Sequence, residues 1–173
     1  MREPLTPPTT PQRLEVNKSV FDAVERLAVF EVGDALLMLN LELQSAFGLR
    51  VEEFQVHQLI ALATVRRNVR AAGPEGADLG RDPLPVAQAG WISRRRISEV
   101  LGIPLETVRR IVARLMEKGM VVERRRGALS TPGGTLQFMH DGASTEQITR
   151  RFVATVNTLI RAGVVTVNGR DPG

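Results

Sequence analysis

The chain has 173 residues, 43% of them hydrophobic, a net charge of +4 and no cysteine. This length suits one compact domain with appended helices. The missing cysteines exclude disulfides, thiolate nucleophiles and cysteine-bound metal, while His57 and His140 stand too far apart in sequence to suggest a metal cluster. The most apolar run, 35–43, is broken by Asn40 and Glu42, so neither a secretory leader nor a membrane span is expected, and a cytoplasmic location follows as the expectation.

Residues 1–18 hold Pro4, Pro7, Pro8 and Pro11. This composition offers little apolar area to offset the entropy of ordering and predicts a disordered arm. Residues 19–71 read as N-terminal helices for packing or dimerisation. From Phe21, apolar residues recur at Val24, Leu27, Ala28, Val32, Ala35, Leu36, Leu39, Leu43, Ala46 and Phe47 in steps of three and four, which is one face of a long helix. Phe30, Leu37 and Leu41 lie off that stripe. A second apolar face calls for a second partner: another subunit, a sandwiched position inside one domain, or a helix break at Gly33.

Gly48 suits a helix stop, and 51–71 reads as a second helix with Glu52 and Glu53 at its start and Arg66, Arg67 and Arg70 near its end, both favourable to the helix dipole. His57 has no carboxylate or cysteine at ligand spacing and reads as a packing or surface residue. Residues 72–90 contain Gly73, Pro74, Gly76, Gly80, Pro83, Pro85 and Gly90, which predict a long connection.

Residues 91–132 carry the functional signal. Ser93 is placed to cap a short helix through Leu101, Gly102 supplies a sharp turn, Ile103 plugs the corner, and Pro104 opens a second helix where amide donors lack intrahelical acceptors. In that second helix Val108, Ile111, Val112 and Leu115 share one sector. The opposite sector holds Glu106, Arg109, Arg110 and Ala113, flanked by Thr107 and Arg114. An apolar back with polar residues near the N-terminal half is what a helix needs to read base edges in a major groove. Arg109 and Arg110 suit guanine, and Glu106 suits either a cytosine amine or a local pair with Arg110. After Gly119, the apolar Met120, Val121 and Val122 lead to Arg124, Arg125 and Arg126, then Gly127 and a return through Ser130, which predicts a hairpin with a basic tip for phosphate or minor-groove contact. Between Ser93 and Gly127 ten basic residues face four acidic ones, a local +6, while the rest of the chain sums to −2. Such a stretch is what phosphate neutralisation requires.

The pattern Ile97-x-x-x-Leu101-Gly102-Ile103-Pro104-x-x-Thr107-Val108-x-Arg110-x-Val112-x-x-Leu115-x-x-x-Gly119-Met120-Val121 resembles the winged helix-turn-helix of bacterial transcription regulators of the MarR and IclR types. The resemblance implies a recognition helix over 104–118 and a wing carrying Arg124, Arg125 and Arg126. The expected fold is mainly α with a small β-hairpin wing, a winged helix-turn-helix with flanking N- and C-terminal helices. The candidate DNA-binding set is Ser93, Arg94, Arg95, Glu106, Thr107, Arg109, Arg110, Arg114, Arg124, Arg125 and Arg126.

Residues 133–173 are expected to form a C-terminal helix and short strand. Ser144 and Gln147 form a capping-box pair, followed by a stripe of Ile148, Phe152, Val156, Leu159 and Ile160. The run from Leu159 to Val165 echoes that from Leu115 to Val121, a second helix-to-strand passage. No phosphate-binding glycine loop and no Ser-His-acid set with suitable neighbours is present, so neither catalysis nor a cofactor is expected. The expected function is sequence-specific binding of double-stranded DNA by a homodimeric transcription regulator. The rival is a winged-helix module for protein contacts in a chromosome-associated assembly.

Overall fold

The computed structural model describes residues 13–72, 88–133 and 145–168. The expectations for residues 1–12, for most of the glycine- and proline-rich connection and for the Ser144 cap fall outside these residues. The chain forms two compact units, one from 1–42 with 144–173 and the other from 43–143.

The first unit contains strand β1 (Arg13–Val16), helix α1 (Lys18–Ala23), most of helix α2 (Glu25–Phe47), helix α6 (Thr145–Arg161) and strand β4 (Val165–Asn168). Residues 13–18, expected within the disordered arm, instead form β1 and the start of α1. Strand β1 pairs antiparallel with β4, Leu14 opposite Val167 and Val16 opposite Val165. Asn17 follows at once as the cap of α1, its side chain accepting from the Val20 N–H. Local composition hides this strand because its partner lies some 150 residues away.

The stripe expected as one helix from Phe21 is divided at Val24, which closes α1 with φ −124° and ψ 29°. Helix α2 then runs unbroken past Gly33. Ala28, Ala35 and Leu39 are its buried residues, whereas Val29, Phe30, Leu36, Leu37 and Leu41 are exposed. Ala28, Leu159 and Val164 make a small apolar cluster with Val20, Phe21, Val24, Ala162 and Val165 around it. The echo between the two helix ends is structural: Met120 N–H donates to Leu115 O at 2.9 Å, and Val164 N–H to Leu159 O at 3.0 Å. Each is the backward bond of a glycine-terminated helix.

The second unit holds helix α3 (Val51–Ala72), helix α4 (Arg94–Leu101), helix α5 (Leu105–Glu117), and the hairpin β2 (Val122–Arg125) and β3 (Ala128–Ser130). Its core joins Leu49, Phe54, Val56 and Ile60 to Ile92, Ile97, Val108, Ile111, Val112, Leu115, Val121 and Leu129. Helix α3 therefore supplies one wall of the winged helix-turn-helix itself, although the sequence reading grouped it with the N-terminal packing helices. Thr64 ties this wall to both ends of the motif. Its carbonyl accepts from Gly90 N–H at 2.8 Å, and its Oγ1 accepts from Thr131 N–H at 3.0 Å. The fold is mainly helical with small antiparallel strand pairs, a winged helix-turn-helix with flanking helices.

Candidate nucleic-acid interface

Helix α4 begins where Ser93 Oγ accepts from Arg96 N–H at 3.2 Å, and it ends at Gly102, whose φ of +67° turns the chain sharply. Ser98 Oγ donates to Ile103 O at 2.6 Å and braces this turn from within. Pro104 caps α5 with an extended ψ of 138°. Val108, Ile111, Val112 and Leu115 are each at most 1% exposed, while Glu106, Arg109 and Arg110 lie exposed on the other side. Their burial fixes the helix against α3 and α4 and leaves those polar side chains facing outward. Thr107 is half-buried beside them.

The local partner of Glu106 is Arg109, at 3.0 Å, and not Arg110 as the four-residue spacing suggested. Both members of this pair are well exposed, so water screens it and either can exchange it for another ligand. Arg110 meets no carboxylate among the described residues.

The wing turns at Arg126 and Gly127, with Arg125 opposite Ala128 and a register shift between Glu123 and Arg125. Ile92 adds a third strand position, donating to Leu129 O and accepting from Leu129 N–H, each at 3.0 Å. Sequence reading saw a two-stranded wing because a single bridging residue has no periodicity to detect.

Three of the candidate arginines, Arg94, Arg114 and Arg124, are half-buried and bonded to partners elsewhere in the fold. Arg94 lies 2.7 Å from the Glu123 carboxylate, tying α4 to the wing. That hydrogen bond, with a second from Gly127 N–H, holds the Glu123 carboxyl below its ordinary pKa. Arg114 Nε donates to Glu53 Oε1 at 2.7 Å, and Lys118 Nζ stands 3.7 Å from Oε2, so α3 grips the far end of α5. Burial alone raises the pKa of Glu53, but the hydrogen bond from Arg114, the Arg50 N–H and the charges of Lys118 and Arg114 outweigh it and leave the group below its usual value. Arg124 Nε donates to Ser130 Oγ at 2.6 Å. The sequence marks Glu53 only as an acidic residue at a helix start, since its partner is 61 positions away.

The remaining basic groups are open to solvent. Arg95 pairs at 3.1 Å and Arg96 at 3.3 Å with Glu99 across the exposed surface of α4. Their hydrogen bonds lower the Glu99 pKa. Arg125 and Arg126 are exposed at the wing, the former with its guanidinium 4.9 Å from the ring centre of Trp91. Trp91 carries no signal in the sequence, because a lone aromatic next to a proline-rich stretch makes no pattern.

Residues 87–122 match a family model described as winged helix-turn-helix DNA-binding. The match spans α4, α5 and the first residue of β2. No curated protein and no solved structure matches the chain. The chain thus carries a winged helix-turn-helix of a DNA-binding kind.

Proposed function

We propose that the protein is a transcription regulator of the MarR- and IclR-like kind that binds double-stranded DNA sequence-selectively, in the cytoplasm, as a homodimer. One observation carries this reading. Helix α5 is anchored through Val108, Ile111, Val112 and Leu115 and directs Arg109 and Arg110 into solvent. In the reading, Glu106, Thr107, Arg109 and Arg110 face base edges, and Ser93, Arg95, Arg125 and Arg126 meet phosphates on either side. Arg94, Arg114 and Arg124 brace these elements through Glu123, Glu53 and Ser130.

The homodimer is assigned to the outer face of α2. Val29, Phe30, Leu36, Leu37 and Leu41 stand exposed there in a unit whose own apolar cluster is small. Such a surface is costly in water, and a second copy covers it with a surface of the same chemistry. A two-fold protein of this kind reads an inverted repeat with half-sites about 10 base pairs apart, or a multiple of that.

Selection of bound duplexes from a random pool tests the reading. Arg110→Ala is expected to weaken the selected site by about 1–3 kcal/mol and relax base choice, whereas Arg125→Ala weakens selected and random duplexes alike. A protein that enriches no sequence, binds duplex without salt dependence and captures a protein partner instead is the protein-contact module.

A further inference from the structure

Among the three consecutive wing arginines, Arg124 is tied to Ser130 and Arg126 is exposed at the turn. Arg125 differs from both. Its guanidinium lies over the indole of Trp91, 4.9 Å from the ring centre, within the range of a cation–π contact. The backbone under it is tied on both sides. Gly90 N–H is bonded to Thr64 O at 2.8 Å on one side of Trp91, and Ile92 exchanges both backbone bonds with Leu129 on the other. Trp91 as a whole remains 53% exposed, so it serves the core only in part.

We propose that Trp91 is a positioning residue for DNA binding: it holds the Arg125 guanidinium in place for a duplex phosphate. The proposal rests on the duplex-binding reading above. An arginine loses much rotamer freedom when it engages a phosphate, and stacking on a fixed ring removes part of that loss beforehand. Stacking on the ring face leaves the guanidinium N–H groups at the plane's edge available as donors.

The test uses the complete chain and a mixed-sequence labelled duplex, because a phosphate contact needs no particular site. Affinity is measured by anisotropy at several salt concentrations for the wild type, Trp91→Phe, Trp91→Leu, Arg125→Ala and the double variant Trp91→Leu/Arg125→Ala. Leucine retains apolar bulk at a half-exposed position but has no ring. The expected result is an about two- to fivefold weakening for Trp91→Leu, of the size of an exposed cation–π contact. Trp91→Phe weakens binding less, and Trp91→Leu adds nothing once Arg125 is alanine. Trp91 is the only tryptophan and the chain has no tyrosine, so indole emission reports on this one position and is expected to change as duplex saturates the protein. Trp91→Leu binding like the wild type, or its loss adding fully to that of Arg125→Ala, overturns the proposal. A wild type that fails to bind any duplex overturns the duplex-binding reading as well, whereas wild-type binding with an additive cycle overturns the positioning role alone.

Discussion

At the scale of single residues, burial and charge have been separated with few compromises, and His57 is one of them. It is 2% exposed and packs 4.9 Å, centre to centre, from the Phe47 ring. Desolvation pushes its pKa down to about 4 from 6.5. The fold therefore favours neutral imidazole. That contribution is complete above the unfolded pKa of 6.5 and is lost as pH falls toward 4, a change of about 3 kcal/mol over the window. Denaturant melts at pH 7 and pH 4 are expected to show a smaller pH-dependent loss for His57→Gln than for the wild type; equal losses would place the acid sensitivity elsewhere. Glu53 acts in a lower window. Its pKa is held below 4.5 in the fold, so its contribution persists above that pH and fades as pH falls through its lowered folded value. The sequence left His57 as either a packing or a surface residue, and the structure makes it a packing residue through the approach of Phe47 from the preceding helix.

At the scale of elements, the recognition helix is positioned by segments remote in sequence. Helix α3 closes the core under it, Glu53 takes Arg114, and Thr64 bonds to Gly90 before the motif and to Thr131 after it. Gly90 is essential to that junction. A methyl group there would stand 2.2 Å from the Ala63 carbonyl oxygen, backbone against backbone, with no flexible side chain to yield. Gly90→Ala is expected to destabilise the fold by about 1–3 kcal/mol in urea melts, the usual cost of forced overpacking. An unchanged midpoint would mean that α3 and the 88–90 segment part easily. The turn between α4 and α5, by contrast, was legible beforehand. Ser93, Gly102, Ile103 and Pro104 act through neighbours a few residues away, and short-range chemistry is written in short-range order.

At the scale of the whole molecule, basic charge is concentrated in 93–127 while exposed apolar surface is concentrated on α2. If a second copy covers the α2 face, a charge placed in its middle must be desolvated on association. Leu37→Lys is expected to convert the dimer to a folded monomer in light scattering, with unchanged helical circular dichroism and weaker binding to an inverted repeat. A wild type that is already monomeric would remove the dimer from the proposal. The amino-acid order alone determined the helix-turn-helix, its apolar back, its outward arginines and the basic wing, because periodicity, caps and turn residues act over a few positions. Tertiary structure alone decided that α3 belongs to the winged-helix core, that β1 finds β4, and that Arg94, Arg114 and Arg125 are held by Glu123, Glu53 and Trp91. Those pairings join residues tens to more than a hundred positions apart, and only the packed core sets which of them meet.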